Sequence, residues 1–142
     1  MKKTFLIGLV FVAALLSSCT KTYVDDNAIT KWKIVDIDVP ERSWQAYTDG
    51  DGLNLFYLAT VDVPELTEVV CRDGVVSCYL VDGETQIVLP YIRHYQNAEG
   101  FFWTTTNDYE FRVGKLDFYI TNSDFAVDPP VGNRRYRLVL MW

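Results

Sequence analysis

The chain has 142 residues, with 13 basic and 19 acidic side chains and a formal net charge of −6 at neutral pH. That length allows one domain with a sizeable core. The negative balance sets the chain against phosphate backbones, and so against nucleic acid as a partner.

From the amino terminus, the first segment has the composition of a secretion signal. Met1-Lys2-Lys3 carries two positive charges, and twelve uncharged residues follow from Phe5 to Leu16. A helix needs about 20 apolar residues to span a bilayer, so this run is too short to anchor the chain by itself. A charged start and a short apolar core are the proportions of a cleaved signal peptide. Its exit, Leu16-Ser17-Ser18-Cys19, has the pattern of a bacterial lipobox, in which the cysteine sulfur takes a diacylglyceryl group before cleavage just ahead of it. Each buried CH₂ contributes roughly 0.8 kcal/mol, so two or three acyl chains hold a protein firmly where one does not. The expected organisation is a signal at 1–18, a polar tether at 19–29 beginning with lipidated Cys19, and a folded domain at 30–142. Without Lys2 and Lys3 the mature chain from Cys19 keeps 11 basic against 19 acidic residues, a net charge of −8. Such a domain gains nothing from anionic lipid, and the anchor alone must hold it to the membrane.

Beyond the tether, strand signals recur between turn dipeptides. Lys31 to Val39 is rich in β-branched residues and stops at Pro40; Asp49-Gly50-Asp51-Gly52 then precedes a second strand, Leu55 to Val63. Pro64-Glu65-Leu66-Thr67-Glu68-Val69-Val70, closing near Gly74, predicts one short helix, with proline in the first turn and early acids. Val75 to Val81 and Thr85 to Leu89 flank Asp82-Gly83, a strong hairpin signal. Tyr91 to Tyr95, Phe101 to Thr106, Lys115 to Thr121 and Arg134 to Trp142 complete the strands. Leu116, Phe118 and Ile120 alternate with Lys115, Asp117, Tyr119 and Thr121, as do Tyr136, Leu138 and Leu140 with Arg135 and Arg137, so each strand buries one face. Seven or eight short strands with one short helix predict an all-β fold, an antiparallel, immunoglobulin-like β-sandwich. A small transmembrane barrel would need strands of about 9–11 residues with a lipid-facing band on every one, whereas Pro64, Pro90, Pro129 and Pro130 interrupt this chain.

Few residues offer chemistry. Cys71 and Cys78 would lie in a compartment that permits a disulfide. A tight turn at Arg72–Val75 would leave them diagonal neighbours about 7–8 Å apart, too far for an unstrained bridge. A helical turn before Gly74 would change that geometry, so a disulfide and two buried thiols both stand. Asp49 to Asn54 lacks the oxygen ligand, glycine and glutamate that an EF-hand requires at its fifth, sixth and twelfth positions. His94 is the only histidine, without a nearby nucleophile, and reads as a surface residue. No metal and no cofactor are expected. The aromatic segment from Tyr91 to Phe111 stands out: Tyr91, Arg93 and Tyr95 share one strand face, Phe101 and Trp103 a face of the next, and a hairpin through Asn97-Ala98-Glu99-Gly100 would bring those faces together. Aromatic faces beside arginine and asparagine could stack on sugar rings or meet a protein partner, although most such residues in a small sandwich are core.

The segments Val63-Pro64-Glu65-Leu66-Thr67, Gly74-Val75 leading to Tyr79-Leu80, Leu89-Pro90-Tyr91, Thr121-Asn122-Ser123-Asp124-Phe125 and Arg137-Leu138-Val139-Leu140-Met141-Trp142, with Trp32 and Trp44 near the start, resemble a group of small lipoproteins common in gut Bacteroidota. The resemblance covers the domain from about Trp32. It implies a β-sandwich on the outer membrane of a diderm bacterium, and it brings no activity and no site. The expectation is a lipid-anchored, non-enzymatic accessory or protein-interaction domain at the cell envelope, on its periplasmic face or at the cell surface; the alternative is a glycan-binding module using an aromatic sheet face. Mass spectrometry of the membrane-extracted protein should find a diacylglyceryl group on an amino-terminal Cys19, and Cys19→Ala should leave the membrane fraction. A Cys19→Ala form that still sediments with membranes would remove the anchor from this reading.

Overall fold

The computed structural model describes residues 30–127 and 130–142. The signal at 1–18, Cys19 and the tether at 19–29 lie outside the described residues. The described residues form nine strands, most of them marked by alternating apolar and polar side chains: β1 (Trp32–Val39), β2 (Gln45–Thr48), β3 (Leu55–Asp62), β4 (Val75–Asp82), β5 (Thr85–Val88), β6 (Tyr91–Gln96), β7 (Phe102–Arg112), β8 (Lys115–Asn122) and β9 (Arg134–Met141). One six-residue helix, α1 (Glu68–Asp73), and a 3₁₀ turn at Glu41–Ser43 complete the elements.

The strands form two antiparallel sheets, β1-β9-β4-β5 and β2-β3-β8-β7-β6. Period two gives each sheet one inward face. Ile37, Cys78, Leu80, Tyr136 and Leu138 of the four-stranded sheet meet Tyr57, Ala59, Leu116, Phe118 and Ile120 of the five-stranded one, all buried. Phe118 and Tyr136 stack across the interior with ring centroids 3.9 Å apart, and the Tyr109 hydroxyl donates to the Val76 carbonyl of the facing sheet at 3.0 Å. The described residues form an all-β sandwich, with β1 lying beside β9.

Three elements differ from the sequence expectation. β2 has no counterpart there because all four of its residues are exposed and show no alternation; it is an edge strand defined by its pairing with β3. The helix starts at Glu68, later than the proline signal predicts. Pro64 to Leu66 form a turn in which the Leu66 N–H reaches the Val63 carbonyl at 3.0 Å, and the Thr67 hydroxyl then caps the Val70 N–H at 3.3 Å. β7 runs on through Tyr109-Glu110-Phe111 to Arg112, because from Thr105 onward it is paired with β8. Gly74 ends α1 where a side chain has no room: a Cβ would come within 2.6 Å of the Met141 carbonyl and 2.7 Å of that of Val70.

Cys71 sits on α1 and Cys78 on the inward face of β4, and both are free thiols. Burial pushes the Cys78 thiol from an ordinary value of about 9 up to about 12, and it raises the Tyr136 hydroxyl as well. The folded state therefore favours the protonated thiol. That contribution is intact below about pH 9 and is lost as the pH climbs toward 12. Stability measured in urea should fall by about 1 kcal/mol between pH 7 and pH 10 from this thiol, and Cys78→Ala should lose correspondingly less over the same interval. An equal loss in both proteins would show that Cys78 does not couple to folding.

Candidate functional site

The β6–β7 hairpin brings the expected aromatic face together. Tyr95 lies directly opposite Trp103 in the ladder, their rings stacked with centroids 5.4 Å apart. Arg93, one pleat away, places its guanidinium over the Tyr91 ring at 5.3 Å from the centroid. Phe101 falls outside β7. It sits in the turn, where its N–H donates to the Asn97 side chain at 2.9 Å and its carbonyl accepts from the Asn97 N–H at 3.0 Å. The residue is 71% exposed.

The five residues divide between two crevices on either side of the Tyr95–Trp103 stack. Tyr91, Arg93 and Tyr95 line a crevice of about 180 Å³ between the sheets, closed by Asn107 of β7 and by Arg134 and Arg135 at the start of β9. Phe101 and Trp103 line a second, of about 500 Å³, with Asn122 and Asp124. The first adjoins a wider depression of about 790 Å³, which shares Val81, Asn133, Arg134 and Arg135 with it and adds Asp38 and Arg42. Sequence reasoning missed Arg42, Asn133, Arg134 and Arg135, because they come from a 3₁₀ turn and a strand end remote from the aromatic segment. The Asn133 side chain accepts the Glu41 N–H at 2.9 Å and ties these two segments together.

The remaining sequence candidates are accounted for locally. His94 is exposed on the outward face of β6 and shares a hydrogen bond with the Thr104 hydroxyl at 3.0 Å; Cys78 faces inward in the other sheet, so the two form no nucleophilic pair. The Asp49 carboxylate accepts the Leu53 N–H at 3.2 Å and the Asn54 N–H at 3.3 Å, closing the β2–β3 hairpin on itself.

Two further surfaces carry apolar side chains. Tyr47, Phe56 and Tyr119 form a row across the outward face of β2, β3 and β8, with centroid spacings of 6.5 and 5.8 Å. Its polar groups are satisfied from within: the Tyr47 hydroxyl donates to Gln45 at 3.2 Å, that of Tyr119 to Glu110 at 3.1 Å, and the Thr60 hydroxyl to Asp117 at 2.5 Å. On the outward face of the other sheet, Trp32, Met141 and Val75 form one cross-strand row, with Ile34 and Val139 in the next. Trp32 is 69% exposed there, beside the point where the described chain begins. Among the described residues, no helix is long and apolar enough to cross a membrane.

No protein-family model, no curated protein and no solved structure matches the chain. The site must therefore be judged on its own geometry. A double-mutant cycle on Tyr95→Ala and Trp103→Ala, read by urea denaturation, should return a coupling of about 0.5–1.5 kcal/mol for the stacked pair. Additive single effects would mean that the stack does not hold the two crevices in register.

Proposed function

We propose that the protein is an outer-membrane lipoprotein, anchored through Cys19, whose sandwich acts by binding rather than by catalysis. The observation that supports binding most directly is the set of side chains around the inter-sheet crevice: two tyrosine rings, two amides and three guanidinium groups. Such a set matches a saccharide, whose CH-rich faces lie on aromatic rings while its hydroxyls meet amide and guanidinium donors. General acid–base hydrolysis of a glycosidic bond would call for two carboxylates about 5–9.5 Å apart; here the crevice has Asp82 alone, and the wider depression has Asp38, which Arg135 already engages at 2.8 Å. Glycan binding is thus the reading that fits the crevice best.

An accessory role through protein contact is favoured by a separate observation, the exposed row of Trp32, Met141 and Val75 with Ile34 behind it. Side chains of this kind, exposed together on one sheet face, suit a partner that removes them from water. The two roles use opposite parts of the molecule and are compatible in one anchored domain.

Detergent-extracted full-length protein, applied to a glycan array, should bind at least one glycan, and Tyr95→Ala, which removes a ring lining the inter-sheet crevice, should weaken that binding by about tenfold, a loss of roughly 1.4 kcal/mol. Absence of binding to every glycan would leave only the protein-contact role.

A further inference from the structure

The chain carries an excess of acid, yet four of its seven arginines, Arg42, Arg93, Arg134 and Arg135, gather on two adjoining crevices at one end of the sandwich. Across both crevices these four guanidiniums face two carboxylates, Asp38 and Asp82. Of the two, Asp38 pairs with Arg135. Neither Arg42 nor Arg134 forms an ion pair among the described residues, whereas Arg72, Arg112 and Arg137 all do. The arginines outside the crevices thus have carboxylate partners, whereas Arg42 and Arg134 at the rim have none among the described residues.

This local reversal of charge has a structural origin. Arg134 and Arg135 stand where β9 begins, and Arg42 is brought beside them by the bond from the Glu41 N–H to the Asn133 side chain. Arg93 arrives from the other sheet, its guanidinium over the Tyr91 ring. Guanidinium forks with fixed planes match the geometry of carboxylate, sulfate and phosphate oxyanions, and they do so better than lysine ammonium groups. A neutral sugar would need no such set. Gathering uncompensated cations is unfavourable by mutual repulsion, and an anion in the crevice relieves it.

We infer that the inter-sheet crevice and the depression adjoining it together bind an acidic glycan, Tyr91, Arg93 and Tyr95 of the crevice taking the sugar ring, and Arg134, common to both, with Arg42 of the depression taking the carboxylate or sulfate. This deepens the glycan reading above and rests on it. The overall charge of −6 repels polyanions at a distance, so retention of one requires a local site rather than a diffuse attraction.

The test is affinity electrophoresis of the full-length protein in non-ionic detergent through gels containing polygalacturonate, dextran sulfate or unmodified dextran. Retardation by polygalacturonate identifies a carboxylate ligand, and retardation by dextran sulfate but not dextran a sulfate one. In either case the Arg42→Gln/Arg134→Gln double variant should bind about tenfold more weakly or worse. Raising the salt should weaken the wild type more than the variant, and Arg72→Gln, in α1, should behave as wild type. Both substituted arginines are exposed, and circular dichroism of the variant checks that the sandwich is intact. Equal retardation by dextran and by the charged polymers, or unchanged binding by the double variant, would overturn the acidic-glycan inference while leaving glycan binding in place. No retardation by any polymer, together with an empty glycan array, would remove both.

Discussion

The pairing of the first strand with the last governs the rest of this molecule. β9 lies between β1 and β4, so the end of the chain is the centre of a sheet, and the backbone of Trp142 exchanges hydrogen bonds of 2.8 and 2.9 Å with that of Lys31. Asp36 and Asp38 on β1 stand opposite Arg137 and Arg135 on β9, each pair at 2.8 Å. A shift of one residue would set these charges against the interior and expose Tyr136, Leu138 and Leu140 instead. The ion pairs lie on the solvent side and add little stability singly; their contribution is to agree with the buried face about the register.

That register places the rim of the candidate site. With β9 fixed between its neighbours, Arg134 and Arg135 start the strand at the same end of the sandwich at which the 3₁₀ turn follows β1. The five-stranded sheet supplies the opposite wall through β6 and β7, whose inward faces carry Tyr91, Arg93 and Tyr95. The site is a crevice between layers because β5 is short and the four-stranded sheet ends there, leaving part of the inward face of β6 uncovered. An aromatic strand face that would be core in a fully covered sheet is here half-open. The same argument explains why the outward row of Tyr47, Phe56 and Tyr119 is a weaker candidate. Its hydroxyls and neighbouring carboxylates satisfy one another, so a ligand would have to displace bonds already made.

Where side-chain alternation was strong, the strands could be read from the chain: Lys115–Thr121 and Arg134–Trp142 were expected almost at their observed bounds, and the Asp82-Gly83 turn lay where the hairpin turns. Reading failed where local pattern gave way to pairing. β2 exists because β3 offers it an edge, and the far half of β7 because β8 runs beside it. The helix began late because Thr67, and not Pro64, supplied the cap. Of the site, Tyr91, Arg93, Tyr95 and Trp103 were found as one hairpin face, since period two and a short turn are local rules. Phe101 was misplaced by one residue at the turn, where those rules stop.

By itself, then, the sequence determined the all-β class, the inward and outward face of each regular strand, and the aromatic hairpin. Each of these follows from residues within a few positions of one another. It also carries the signal and lipobox pattern on which the proposed anchor rests. Only the tertiary structure decided that the first and last strands are neighbours, that Cys71 and Cys78 stand apart as free thiols, and that Arg42, Arg93 and Arg134 come to two adjoining crevices. Those juxtapositions connect segments separated by tens of residues. They are set by which sheet edges and layers can bury the shared core, a condition that no local pattern of side chains expresses.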